Sequence, residues 1–432
     1  MEDKSIKGKL SYIKSKINNL KEKYEYIKSV ITFFKWLFLS TSIGIIVGGI
    51  CSLFAHTLEF AVNLRGTYPK IILLLPFFGL LIVFLYKICK DDDDKGTNTI
   101  VASIQESSDI PFKMAPLIFI STVITQLAGG SAGREGAAVQ LGGSIAKRLG
   151  KTLKLSEDSQ RGIILCGMSA GFSALFGTPM AAAIFSLEVI SVGIMHYSAL
   201  VPCVTASLMA HFVAEGFNVE GEKFLIHFVP MASPENLFKI ALFAVIVGGI
   251  SSIFCIALHK VEHIFEKYIR NQYLRIFIGG CLVIILCVVF GTEKYLGSGM
   301  EIIEFIYLRG EAEWYSCLLK ILFTAVTIGA GFKGGEIVPS LCIGACLGVF
   351  ASDIIGMHHG IVMACGMVGL FCGVTNCPLT SLLLAFELFG VSGAPFYLVT
   401  VAVSYMVSGS HRLYKKQQIL YSKTATNYDL KE

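Results

Sequence analysis

The sequence predicts an all-α membrane protein made of two inverted repeats of tilted and broken transmembrane helices. Three observations carry this: an apolar composition, a near-continuous series of apolar runs broken by Gly and Pro, and a pair of motifs that recurs at constant spacing. Hydrophobic residues make up 54% of the 432 and charged residues only 16%, against roughly 25% charged in ordinary soluble domains. Mean hydropathy is +0.68. A soluble chain of this length cannot hide so much apolar surface, because surface shrinks too slowly with size. The composition therefore excludes a cytosolic enzyme, a disordered protein and a nucleic-acid-binding module.

The first element is a basic, mostly helical segment, residues 1–30. Residues 1–35 carry nine Lys and four acidic residues, which accounts for the whole net charge of +5. Flanking lysines of this kind stay on the cytoplasmic side of a cell membrane, and the tail after Gly409 is basic as well, so both termini are expected inside. No signal peptide is expected, because the first apolar run, about 31–62, is too long and too late for a cleaved segment. Further runs follow near 70–89, 113–129, 161–192, 196–216, 237–259, 274–291, 315–331, 337–356, 360–374, 378–392 and 394–408. Several are shorter than the ~20 residues a spanning helix needs. Interrupted helices are tolerated at membrane depth where protein or a water-filled cavity covers the broken backbone, the pattern of a transporter or channel.

The repeat comes next. Gly167–Ile190 (GMSAGFSALFGTPMAAAIFSLEVI) aligns with Gly366–Phe389 (GMVGLFCGVTNCPLTSLLLAFELF) at an offset of 199, which pairs Pro179 with Pro378 and Glu188 with Glu387. Upstream, Gly133-Arg-Glu-Gly136 aligns with Gly334-Gly-Glu-Ile337 at 201. Two elements in the same order indicate a duplicated fold. The expected organisation is a basic segment 1–30, a first repeat 31–220, a linker 221–234, a second repeat 235–410 and a tail 411–432. The symmetry of Glu188 and Glu387 points to a shared structural role, bonding backbone at a helix end, more than to transport.

The strongest chemical feature is Gly129–Gly150, GGSAGREGAAVQLGGSIAKRLG. A helix starting at the GREG turn aims free N–H groups and its positive end at whatever precedes it, which makes an anion site from Gly136 and Ala137. In the other half GFKGGEIVP places Pro339 just inside a second helix start. Inverted repeats would bring the two ends together at mid-membrane, giving a desolvated pocket of backbone donors without metal or cofactor. Glu135 is an acid at membrane depth, where acids are expensive and usually functional. Ionised, it can occupy the anion site itself; protonated, it loses that attraction and swings away. One side chain thus exchanges an anion for a proton, although a plain capping role is the bland alternative.

These motifs, with the two proline–glutamate helices and the tail SGSHRLY, fall in an order that resembles the CLC family of anion channels and anion/proton antiporters over nearly all of 31–415. The resemblance implies the CLC-type inverted-repeat fold and a homodimer with one pore per subunit. Departures from the chloride-type pattern select a branch. Ala137 follows GREG where Pro is usual, the first anion loop reads Gly96-Thr-Asn-Thr-Ile100, and Val189 stands where chloride/proton exchangers carry an inner glutamate. Together they resemble the bacterial fluoride-exporting branch, although Thr97 and Val338 differ from the residues common there. The implied partners are fluoride and a proton. Thr97 and Asn98 would add a hydroxyl and an amide to Gly96 at the anion, Tyr414 would offer its phenol by family position, and Glu336, Ile337 and Val338 would supply the second helix end. Without an inner glutamate, Glu135 is expected to do all the proton handling. A helix cap is the plain reading of Thr97 and Asn98 and is compatible with ligation. A chloride-selective channel or exchanger is the alternative function.

Enzyme-like patterns are rejected. Gly129-Gly-Ser-Ala-Gly133 fits a hydrolase elbow but lacks a preceding strand. His259-Lys-Val-Glu-His263 fits a metallopeptidase helix but reads better as an interfacial helix end. Gly150-Lys-Thr152 lacks the upstream Gly of a phosphate loop. Asp91–Asp94 reads as an exposed acidic turn, and the 13 cysteines as small apolar residues rather than disulfide or zinc partners.

Overall fold

The computed structural model describes residues 2–90, 96–106, 110–420 and 423, with the side chains of 2–22 excepted. The acidic run Asp91–Asp94 therefore lies outside the described residues. The first half contains α1 (Glu2–Thr67), α2 (Leu75–Ile88), α3 (Thr97–Glu106), α4 (Met114–Leu127), α5 (Glu135–Thr152), α6 (Glu157–Phe176), α7 (Pro179–Glu188) and α8 (Leu200–Gly216). The second contains α9 (Pro234–Tyr268), α10 (Gln272–Phe290), α11 (Met300–Arg309), α12 (Ser316–Gly329), α13 (Ile337–Ile355), α14 (His359–Thr375), α15 (Pro378–Phe389) and α16 (Ala394–Val407). Among the described residues one two-stranded sheet forms, a two-residue parallel pairing of Ser191–Val192 with Gln418–Ile419.

No break separates the basic N-terminal segment from the first apolar run: α1 is one helix through both. Among the described residues six stretches are long and apolar enough to cross a membrane: part of α1, Pro69–Ile88 including α2, Tyr197–Gly216 including α8, and α9, α10 and α13. The apolar run 161–192 is two helices. Gly177 ends α6 in the left-handed conformation at φ +71, and Pro179 opens α7. The same break recurs in the other half, where Asn376 at φ +59 precedes Pro378. Helices α3 and α11 are absent from the list of apolar runs because each mixes polar residues into only ten positions.

The duplication is carried by backbone. Helix α4 corresponds to α12, and so on through α8 and α16. Within it, α5 and α6 touch through glycines: a Cβ on Gly142 would run into the carbonyl of Gly167, and one on Gly171 into that of Ala138. Helices α13 and α14 use the same device at Gly344 against Gly366 and at Gly348 against Val362. Small residues let helix backbones close up where no hydrophobic drive separates them from lipid.

Glu188 and Glu387 prove to be crossed caps. Glu387, at the end of α15, accepts from Met180 N (2.8 Å) and Ala181 N (2.9 Å) at the start of α7. Glu188, at the end of α7, accepts from Leu379 N (3.1 Å), Thr380 N (2.9 Å) and Thr380 Oγ1 (2.7 Å) at the start of α15. Each carboxylate satisfies N–H groups its partner helix leaves orphaned. The exchange also fixes α7 and α15 antiparallel, as inverted repeats require. The tail folds back beneath this pair. Leu413 N bonds Val374 O (2.9 Å), the Gln417 side chain donates to Thr375 O (2.8 Å), and Lys416 N donates to Asn98 Oδ1 (3.1 Å).

Candidate anion site where two helix ends meet

The N-termini of α5 and α13 meet at one antiparallel bridge. Gly133 N donates to Gly335 O (2.6 Å), and Gly335 N to Gly133 O (2.8 Å). Gly335 leaves no room for a side chain, since a Cβ there would sit 2.7 Å from Gly136 N, and Gly133 is tight, with a Cβ 3.1 Å from Gly335 O. The first intrahelical bonds are Ala138 N to Arg134 O and Ser340 N to Glu336 O. The N–H groups of Glu135, Gly136 and Ala137 on one side, and of Ile337 and Val338 on the other, thus have no partner within their helices. Two positive helix ends face one buried place.

The bridge corrects the register of the repeat. Helix starts at Glu135 and Ile337, and the left-handed glycines Gly129 and Gly331, share an offset of 202 rather than 201. Glu336 therefore corresponds to Arg134 and is the residue before its helix, while Glu135 corresponds to Ile337. The apparent match of the two glutamates comes from the doubled glycine, Gly334-Gly335, beside the single Gly133.

Glu135 is fully buried. Its Oε2 accepts from Arg134 N (3.1 Å), so the carboxylate curls over the end of its own helix. Its Oε1 has no hydrogen bond and lies 3.4 Å from Arg134 Nε. Arg134 in turn donates from Nη2 to Glu222 Oε1 (3.1 Å).

Thr97 opens α3, and Gly96 before it is left-handed at φ +64. The helix start therefore places Thr97 and Asn98 in its first turn rather than at the cap. The Thr97 hydroxyl is buried and accepts from Gln140 Nε2 (3.1 Å), which leaves its own hydrogen to be donated elsewhere. A Cβ on Gly136 would lie 3.8 Å from this oxygen, so Thr97 stands over the free end of α5. Asn98 has its carbonyl committed to the tail at Lys416. Tyr414 is buried with no hydrogen bond to its phenol, within electrostatic reach of Glu336 and Glu135. Val338 and Val189 are buried and apolar.

Two residues of the site escaped the sequence reading. Gln140 lies one turn beyond Gly136 on α5 and is the partner of Thr97; its spacing from Gly136 was the available signal. Lys320 is fully buried in α12, and its Nζ donates to Ser131 Oγ (3.0 Å), Tyr295 O (3.1 Å) and Gly297 O (2.9 Å). With all three donors used, it acts as a clamp on the loop before GREG rather than as a base for Ser131. A single Lys inside the run 315–331 was the signal. Among the described residues no cluster of three His, Cys, Asp or Glu could hold a metal, and His259 bonds the carbonyl of Leu413 (3.2 Å).

Residues 78–409 match the family model described as voltage gated chloride channel. A chloride/fluoride channel protein of Pseudomonas syringae pv. tomato is 35% identical, over 90% of this chain and 87% of that protein. A solved CLC-type fluoride/proton antiporter superposes with a TM-score of 0.86 at 31% identity, covering 90% of this chain and 98% of that one. A slow cyanobacterial chloride/proton antiporter shares the fold, with a TM-score of 0.74 at 20% identity over 86% of this chain and 94% of that one.

Proposed function

The chain belongs to the voltage-gated chloride channel (CLC) family, and on that premise we propose that it is a fluoride/proton antiporter that exports cytoplasmic fluoride across the cell membrane. The observation that carries this reading is the Gly133–Gly335 bridge with the Glu135 carboxylate lying on the helix end beside it. An ionised carboxylate and an anion compete for the same free N–H groups. Protonation removes the carboxylate from that competition, so anion entry and proton carriage become alternatives at one place.

Fluoride is supported by three features. It is small and strongly hydrated, so a site must replace its water with close, strong donors. Thr97 accepts from Gln140 and has a hydroxyl hydrogen to give, and Tyr414 holds an unbonded phenol in the same buried region. The superposition on a fluoride/proton antiporter at 31% identity points the same way. Val189 in place of an inner glutamate leaves Glu135 as the proton carrier.

The part of α1 around Trp36 and the tail strand lie toward one face. Trp36 packs on Gly162, Arg161 is within electrostatic reach of His196, and Val192 pairs beside Ile419. With lysines at both ends this face is assigned to the cytoplasm. The assembly is assigned as a homodimer with one pore per subunit.

A chloride-conducting or chloride-exchanging protein is the second reading, favoured by the word channel in the name of the Pseudomonas relative. Proteoliposomes loaded with fluoride or chloride, with anion and pH followed together, separate the two. The expected result is fluoride efflux accompanied by proton uptake, with Glu135→Gln losing at least tenfold of the coupled flux. Chloride flux equal to or faster than fluoride flux overturns the fluoride assignment, and fluoride flux without proton movement overturns the antiporter.

A further inference from the structure

On the opposite face from the tail, the segment between α8 and α9 folds over a pocket of about 720 Å³. Its walls carry His211 and Glu215 of α8, Glu220, Glu222 and Lys223 of the segment, and Glu304 of α11. Glu222 is the wall residue that meets Arg134. The segment that holds it is built, not loose. Before it, Gly221 packs directly on Gly177, so tightly that neither tolerates a Cβ. After it, Phe224 N donates to Leu388 O (2.8 Å), and the Phe224 ring meets Tyr307 edge-on at 5.4 Å. Pinned on both sides, Glu222 takes one Nη of Arg134 while Nε of the same guanidinium faces Glu135. Side-chain exposure falls from 24% at Arg134 and 18% at Glu222 to none at Glu135. One positive charge is thus divided between a carboxylate at the mouth and the buried carboxylate of the site.

We propose that Glu222 is a positioning residue for the outer proton step: by holding Arg134, it sets how strongly Glu135 keeps its proton. This rests on the reading of Glu135 as the proton carrier. With Glu222 ionised, the guanidinium is shared, the triad carries net negative charge, and a proton arriving from the pocket is retained on Glu135. With Glu222 neutral, Arg134 serves Glu135 alone and stabilises its ionised form. The groups facing Glu222 are Arg134, which favours its charge, and Glu304 and Glu135, which oppose it, with His211, Glu215, Glu220 and Lys223 around the pocket. Burial holds the Glu222 carboxyl above the usual carboxylate range, and Arg134 only partly offsets this. Glu222 therefore titrates nearer to working pH than an exposed glutamate would.

The test is the rate of anion efflux from proteoliposomes as a function of outer pH, measured with whichever anion the wild-type protein carries. Glu222→Gln is expected to move the half-maximal pH about one unit toward acid, with the rate at low pH retained and with Glu222→Asp close to wild type. Arg134→Gln removes the shared cation and is expected to move the profile the opposite way, toward alkaline pH. In the Arg134→Gln background, Glu222→Gln should shift the profile less than half as far as it does alone. An unchanged or alkaline-shifted profile for folded Glu222→Gln overturns the proposal. Should that variant fail to assemble, an acid shift or no shift for Arg134→Gln overturns it instead. A failure of the fluoride reading appears separately, as a wrong anion in the wild-type protein.

Discussion

Thr97 occupies the place in the candidate site where the sequence and the structure say different things about one residue. The sequence offers a hydroxyl near an anion loop; the structure adds that Gln140 donates to it, and so decides which way its hydrogen is free to point. A hydrogen bond to a charged partner contributes about 1.5–3 kcal/mol, and 1.4 kcal/mol is a factor of ten. Thr97→Val is therefore expected to reduce fluoride preference over chloride by about tenfold or more, and Thr97→Ser to retain it, as read from paired fluoride and chloride efflux rates. Gly335 sets a harder limit. With a Cβ placed 2.7 Å from Gly136 N, Gly335→Ala must push the two helix ends apart. It is expected to abolish transport while protein still reaches the membrane, which surface expression and flux measured together would check. Glu135, Gly136 and Ala137 were legible because the glycines, the acid and the helix start stand side by side in one motif. Gln140, Lys320 and Glu222 were not, because each matters through a partner 43, 189 or 88 residues away.

Helices are where the sequence was most informative and most incomplete. Long apolar runs mark α9 and α10, and the Gly-Thr-Pro and Asn-Cys-Pro breaks mark the ends of α6 and α14. Helices α3 and α11 carry too little apolar signal to be found by composition, since they are held by neighbours rather than by lipid. The doubled glycine before Glu336 misled the alignment by one residue, because identity of letters outweighed the position of the helix start. The crossed caps were foreseen in kind, and the structure supplies their direction. Glu188 accepts three hydrogen bonds and Glu387 two. Replacing either carboxylate by Ala leaves buried N–H groups orphaned, at about 1–3 kcal/mol. Thermal unfolding in detergent should show both Glu188→Ala and Glu387→Ala melting below wild type, with Glu188→Ala lower.

For the whole molecule, membrane residence and the repeat were readable from composition and spacing; the family match over residues 78–409 agrees with the first, and the paired breaks after α6 and α14 accord with the second. The joining of the halves was not readable. What looks like a linker forms part of the wall of the pocket beside Glu222, and what looks like a tail closes the opposite face. Lys415 pairs with Glu262 (2.5 Å), Lys416 with Glu106 (3.1 Å), and Gln418 and Ile419 pair with Ser191 and Val192. Truncation after His411 is expected to spare insertion but abolish selective transport, because it removes Tyr414 along with the strap; flux and membrane yield of the truncated protein would check this. Light scattering of the detergent-solubilised protein is expected to give about twice the 47.0 kDa chain mass after correction for detergent, and a single-chain mass would remove the dimer assignment.

The exchange of carboxylates between α7 and α15 also sets a clock. Met180 and the acid that bonds it are 207 residues apart in the chain. At a synthesis rate of about 5–20 residues per second, the N-terminus of α7 waits on the order of 10–40 s for its partner to leave the ribosome. Until then the N–H groups of Met180 and Ala181 are without the carboxylate that bonds them in the finished fold. Its assembly is thus a late event that finishes both halves at once, and an insertion machinery able to shelter an unfinished polar helix end becomes part of what this sequence requires.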